Sequence, residues 1–332
     1  MVEPSPPPPR VTIVVAERGD HGIHLVDLDE RGDRQFEVVR AADQQARDTD
    51  PTISPDGKWI VFASSRGRPI AETNLWIAPL APDAIAVPLT TGPQIDSHPT
   101  WRTDGRAIVF ASTRAGHEFD LFELRVGDGR AIGDVKQLTT AAGNEITPSV
   151  ARDGTIYYAA VRVDGSKVTS RIEARHVDGS IEAITEGPGD ASPAISPDGT
   201  QLAYSRPAVH ETGPDGELFV VSLTHGDPEP IVDVRLTDET GPVWSRDGRY
   251  VFATSVLRSA SGAIAFSSVI AVDLTQHPRV ARVLEDRTGA IARITPAIAP
   301  VALDAAILDA NPEYLSELAR ITAKAAAARD SK

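Results

Sequence analysis

Five acidic residues recur three places before a proline: Asp48, Asp96, Glu145, Asp190 and Glu239, ahead of Pro51, Pro99, Pro148, Pro193 and Pro242. Carboxylates gathered in a ring could hold a cation such as calcium, or the amine end of a peptide. A sixth copy carries Arg293 before Pro296, which breaks the symmetry. Arginines follow at a matching period: Arg18, Arg66, Arg114, Arg162 and Arg206. Acids and arginines of one period can pair, which lowers the cost of holding several carboxylates together. The favoured expectation is structural fastening between repeat units, and the acids with Arg293 remain the candidate ligand-binding set. His98, directly before Pro99, is the only histidine in the motif. It belongs to the candidate set too, although a lone histidine there is expected to be a hydrogen-bonding loop residue.

Other chemistry finds less support. His21 and His24 lie three apart at a strand entry, where alternation sends them to opposite faces, so no joint metal site is expected. Asp27-Leu-Asp29-Glu-Arg31-Gly32 has the start of a calcium loop, but Arg31 takes a ligand position and Val38 stands where a bidentate Glu is required. Without cysteine there are no disulfides, thiolate sites or cysteine nucleophiles. No Gly-rich phosphate loop opens a helix, and no Gly-x-Ser-x-Gly elbow occurs. Trp59, Trp76, Trp101 and Trp244 are expected in the packing between units. No catalytic set emerges, no cofactor is implied, and a non-enzyme is expected.

The elements that place these residues repeat with the prolines, at intervals of 48, 49, 45, 49 and 54 residues, a period of propeller blades. Asp56-Gly57, Asp104-Gly105, Asp153-Gly154, Asp198-Gly199 and Asp247-Gly248 each predict a tight turn, because Gly accepts positive φ and Asp bonds its own backbone. A β-rich run comes after each turn, such as Trp59-Ile-Val-Phe-Ala63, then a second such as Asn74-Leu-Trp-Ile-Ala78, then a weaker third such as Val87-Pro-Leu-Thr90. With the proline-bearing strand innermost, each unit makes a four-stranded blade. Val11–Val15, Ile23–Asp27 and Phe36–Val39 match the last three strands of a blade, and the worn copy at Pro296 matches a first strand alone. Joined, the two ends complete a sixth blade and close the ring.

The expected architecture is an all-β, six-bladed propeller over residues 11–303, after a proline-rich leader at 1–10 and before a helical tail at 304–332. Asn311 is the expected N-cap of that helix, Pro312 its first position, and Tyr314, Leu318, Ile321 and Ala325 share one face. The net charge of −14 disfavours nucleic acid and anionic membranes. No apolar run is long enough to span a bilayer. The leader lacks the apolar core of a signal peptide and reads as a stiff tether, as if a secretion signal had preceded it.

Asp-x-x-Pro-x-(Ile/Trp)-Ser-Pro-Asp-Gly, with Ser64-Ser-Arg66 and Ser112-Thr-Arg114 closing the pattern, resembles the WD-repeat-like propeller repeats of the TolB type. The resemblance runs from Val11 to about Pro300. It implies a scaffold that binds a protein or peptide at the channel mouth, monomeric and in the periplasm or cell envelope, with cytoplasm as the other compartment. TolB carries an α/β domain ahead of its propeller, and none is expected here. Similar propellers cap peptidases and form lyases, so a carbohydrate-active lyase or hydrolase with acids, and a metal, in the channel is the alternative. The variable loops Gly67–Thr73, Pro207–Gly216 and Ser259–Ser267 are expected to set the partner.

Overall fold

The computed structural model describes residues 11–16, 23–27, 34–39, 46–69, 71–81, 84–210, 213–224, 226–232, 237–258, 264–277, 279, 281–284 and 297–302. The leader, Arg18, His21, Arg293 and the tail from residue 303 lie outside the described residues. All regular structure among the described residues is β.

Five blades form from consecutive antiparallel strands. The first is Asp48–Ile53, Trp59–Ser64, Asn74–Pro79 and Val87–Pro88. The second is Asp96–Trp101, Ala107–Ser112, Asp120–Gly127 and Arg130–Gln137. The third is Asn144–Val150, Ile156–Asp164, Lys167–Arg175 and Ile181–Ala183. The fourth is Ala191–Ile195, Gln201–His210, Gly213–Ser222 and Glu229–Val232. The fifth is Thr237–Trp244, Tyr250–Arg258, Ile264–Asp273 and Ala281–Leu284.

The repeats predict six blades, and five is the number formed in this way. The copy at Pro296 lacks the Asp-Gly turn that folds the first strand back on the second in the other five copies. Its strand, Ala297–Ala302, pairs antiparallel with Val11–Ala16, which pairs in turn with Ile23–Asp27 and that with Arg34–Val39.

A second correction concerns the loops. Pro207–Gly216 has the composition of an irregular loop, but Gln201–His210 and Gly213–Ser222 pair register for register out to His210 and Gly213. Ala208, Val209 and the partner residues keep the ladder running past Pro207. The third blade has a similar long hairpin, with Asp164 opposite Lys167. Part of Ser259–Ser267 is also strand, from Ile264 onward.

The core lies between blades. Along each second strand, alternate residues face the preceding and the following sheet. Ile108 and Phe110 pack with Val61, Leu75 and Ile77 of the first blade. Val109 and Ala111, one position over, pack with Val150, Ile156 and Tyr158 of the third. The same exchange joins the third blade to the fourth and the fourth to the fifth. Each sheet is therefore apolar on both faces, which explains the continuous hydrophobic runs after the Asp-Gly turns.

The first strand of each of the five blades carries a bulge at its proline. The ladder shifts between Thr49 and Thr52, Ser97 and Thr100, Ile146 and Ser149, Ala191 and Ala194, and Thr240 and Val243. Proline has no N–H for the ladder, and a bulge is where a strand tolerates it. The residue before each proline is left-handed: Asp50 (φ 52°), His98 (48°), Thr147 (52°), Ser192 (52°) and Gly241 (63°). The bulges also bring neighbouring blades together, since the His98 N–H lies 3.4 Å from Asp50 Oδ2 and the Ile195 N–H donates to Ser149 Oγ at 3.1 Å.

A Cβ added at Gly241 would meet nothing within 4 Å, so only backbone strain opposes a side chain there. Gly241→Ala is expected to lower stability by about 1 kcal/mol, read as a drop in urea midpoint at unchanged slope.

Candidate functional site

The five repeat acids are buried: Asp96, Glu145 and Asp190 are fully covered, Glu239 is 1% exposed and Asp48 3%. Four are paired with the arginine of matching period. Arg66 binds Asp48 with both arms of its fork, Nε to Oδ1 at 3.1 Å and Nη2 to Oδ2 at 2.6 Å. Arg206 does the same to Asp190, at 2.6 and 2.9 Å. Arg114 Nη2 reaches both oxygens of Asp96, at 2.9 and 3.0 Å. Arg162 Nη1 stands 3.0 Å from Glu145 Oε1. Glu239 accepts from Thr237 Oγ1 at 2.5 Å and Ser255 Oγ at 2.9 Å.

The pairs close within a blade, not across the gap between blades as the period alone suggested. Asp48 lies opposite Ser64 in the ladder, and Asp96 opposite Ser112. An arginine two residues further along that strand folds back onto the acid beside its own hairpin. At Asp96 a link to the neighbouring blade comes from threonine. Thr90, at the end of the first blade, accepts from the Leu75 N–H and donates to Asp96 Oδ2 at 2.6 Å in the second. Thr139 and Thr185 accept in the same way from the N–H groups of Leu121 and Ile172. These threonines are not among the residues that the repeat motif marks, though Leu89-Thr90 and Leu138-Thr139 recur ahead of their acids.

Three of the four guanidiniums also lie over rings. Arg66 covers Phe62 and Trp76, Arg114 covers Phe110 and Phe122, and Arg206 covers Tyr204 and Phe219, all at 5.0–5.8 Å. These rings face each other across the second and third strands. In the third blade Glu173 takes the second ring's place opposite Tyr158. Glu173 accepts from the Tyr158 hydroxyl at 3.0 Å, binds Arg171 at 2.7 Å and draws on Arg162 at 3.9 Å. Glu145 there is pushed up to about 7, chiefly by burial, with the nearby Asp120 adding to it and Arg162 opposing it.

A cavity of about 470 Å³ opens at the opposite end of the first strands, where the Asp-Gly turns begin. Residues from the first strands of successive blades converge on it, among them Thr52, Thr100 and Trp101, joined by Ser196 and by Arg152 and Arg246 from the turns. Its volume falls within the range of small-ligand pockets. Among the described residues, no aspartate or glutamate lines it. The turn aspartates fold back instead: Asp56, Asp198 and Asp247 accept from Ser54, Ser196 and Ser245 hydroxyls at 2.5–2.6 Å.

Of the sequence candidates, Asp48, Asp96, Glu145, Asp190 and Glu239 thus occupy equivalent buried sites in five blades, and a cation at the four paired ones would have to displace an arginine. His98 is half-buried at its bulge, with Nδ1 3.0 Å from Ser97 Oγ. Arg293 lies outside the described residues. Among the described residues no three His, Asp or Glu side chains converge as a metal would require. Arg152 and Arg246 carry no repeat signal, because the position before Asp-Gly holds Pro55, Thr103, Arg152, Pro197 and Arg246, with no shared chemistry.

No protein-family model matches the chain, and no curated protein does. Solved structures do. A TolB-type protein from Agrobacterium tumefaciens aligns with a TM-score of 0.61 at 17% identity, covering 89% of this chain and 100% of that one. TolB from Acinetobacter baumannii aligns at 0.65 and 17%, covering 88% and 66%. An oligogalacturonate lyase in complex with manganese aligns at 0.52 and 12%, covering 83% and 73%. At these identities the likeness shows the fold, a β-propeller of four-stranded blades.

Asp190→Asn leaves Arg206 facing a neutral amide and is expected to cost about 3 kcal/mol of stability, measured by denaturant unfolding. A role confined to ligand binding would instead leave the unfolding midpoint in place. Glu145 titrates higher in the folded chain than its ordinary 4.5, so the native state holds the proton longer and stability falls as pH rises between about 4.5 and 7. Glu145→Gln removes this dependence. The melting temperature of the wild type should therefore drop relative to that variant as pH rises from about 5 to about 8.

Proposed function

We propose that this chain is a non-catalytic propeller scaffold that binds a protein or peptide at the turn-side mouth of its channel. The observation that carries it is the division of labour between the two ends of the first strands. The acids at one end serve arginines and hydroxyls of the protein itself. The cavity at the other end is lined by side chains that the fold leaves facing open space. In the same proposal the strand Ala297–Ala302 and the first three strands form a sixth blade. This is supported by its packing against the first strands of both the first and the fifth blade. A closed ring holds the channel mouth rigid, and a rigid mouth lowers the entropy cost of capturing an extended chain.

The resemblance to TolB favours a protein or peptide partner and a place in the cell envelope. The lyase neighbour shows that one propeller shape serves other chemistry, so the assignment rests on the site and not on the fold.

Peptide display against the purified chain tests this. Thr100→Trp fills the cavity, and the peptides enriched on the wild type should lose most of their binding to that variant. Enriched peptides that bind the filled variant equally well would place the binding surface elsewhere and overturn the proposal.

A further inference from the structure

We propose that Asp120 of the second blade and Glu145 of the third share one proton across the seam between these blades, which makes the seam a pH-sensitive latch.

Comparison with the preceding seam shows what is unusual here. Between the first and second blades the Asp96 N–H donates to the Thr73 carbonyl at 2.8 Å, and Asn74 follows, opposite Ser64 in the ladder. Between the second and third blades the Glu145 N–H donates to the Phe119 carbonyl at 2.7 Å, and Asp120, opposite Ser112, stands in the place of Asn74. A carboxylate therefore replaces an amide beside a repeat acid. Support from within the blade is thinner as well. Asp96 accepts from the Ser112 hydroxyl at 2.6 Å and Glu239 from Ser255 at 2.9 Å, but the residue opposite Glu145 is Ala160, which has no hydroxyl to give. Glu145 is fully covered, and neither of its oxygens has a hydrogen-bond partner among the described residues.

The charges around Glu145 do not relieve this. Arg162 lies 3.0 Å away but is also drawn to Glu173, which binds Arg171 and accepts from the Tyr158 hydroxyl. From the second blade Asp120 faces Glu145, with Glu118 beside it. The repeat acids of the flanking blades, Asp96 and Asp190, are held by their own arginines. Two carboxylates this close resist ionising together. A proton on Glu145 turns one of them into a donor: its O–H donates to an Asp120 oxygen, while Asp120 also accepts from the Gln137 amide at 3.1 Å. Burial raises Asp120, and burial, with the Asp120 charge adding to it, pushes Glu145 up to about 7, so the proton rests on Glu145. Loss of that proton to solvent leaves two facing charges. The bonds they oppose are those of the seam: Glu145 N–H to Phe119, Phe119 N–H to Asn144 Oδ1 at 2.9 Å, and Gly143 N–H to Glu118 Oε2 at 2.9 Å. The latch thus holds at low pH and releases as pH rises.

Amide exchange of the full chain, corrected for the intrinsic pH dependence of exchange, tests the latch. Glu145 titrates at about 7 in the closed seam and near its ordinary 4.5 in an open one, so opening becomes about tenfold more favourable between about pH 6 and about pH 8. The Glu145 amide should lose about tenfold of its protection over that range. The Asp96 amide, in the seam that has Asn74, should keep its protection. Asp120→Asn restores the amide of the first seam. It should abolish the difference and move the Glu145 carboxyl titration, followed by carbon NMR, toward the ordinary carboxylate range. Ala160→Ser should move it the same way by supplying the missing hydroxyl. The same pH response at both amides would overturn the latch. A Glu145 titration near neutrality that Asp120→Asn leaves in place would assign the effect to burial alone and overturn the shared proton.

Discussion

A carboxylate held dry beside an arginine is the constraint on which this propeller depends. Burying either charge alone is costly, and the pair is tolerable only when the geometry satisfies both partners. Asp48, Asp96 and Asp190 meet that demand with forked or doubled contacts from Arg66, Arg114 and Arg206. The acid must enter at the start of the first strand, the arginine must come after the second, and the hairpin between them must hold register. Rings lie beside each of these three guanidiniums, and at Asp96 the Thr90 hydroxyl of the preceding blade turns a bond within one sheet into a link between sheets. The bulge at the proline then lets the same strand resume its ladder beyond the missing N–H.

The third blade shows what happens when the constraint is relaxed. Glu173 replaces a ring, a second carboxylate enters the network, and Arg162 is divided between two acids. Glu145 is held less well than its counterparts, and its affinity for a proton rises. Burial, with Asp120 close by, outweighs the pull of Arg162 and raises the proton affinity of this one acid. At the far end of the first strands the fifth blade has its own fork, Arg249 on Asp273, but the positions that line the channel differ from blade to blade. That asymmetry is why the proposed binding surface is the turn-side cavity and not the repeated acids.

Much of this was legible in the residues. The prolines marked the first strands, the Asp-Gly pairs marked the turns, and the shared period of Asp48 with Arg66 announced a pair. What the period could not show was that the pair closes inside one blade, because that depends on Asp48 standing opposite Ser64. The left-handed positions were hidden for another reason. Asp50, His98, Thr147 and Ser192 have no common preference for positive φ, and only Gly241 hints at it. Pro207 has the look of a loop start, yet a strand edge tolerates one missing N–H. The cavity was least visible, since Thr52, Trp101, Arg152 and Arg246 come together only when the blades stand around an axis.

The most direct measurement is a double-mutant cycle on Asp96 and Arg114, with Asp96→Asn, Arg114→Gln and the combination compared by denaturant unfolding. If the buried pair holds the blade, the two changes are coupled by about 1–3 kcal/mol, and the double variant is less impaired than the sum of its parts. Additive effects, within about 0.5 kcal/mol, would show that the acid and the arginine act separately and would contradict the account.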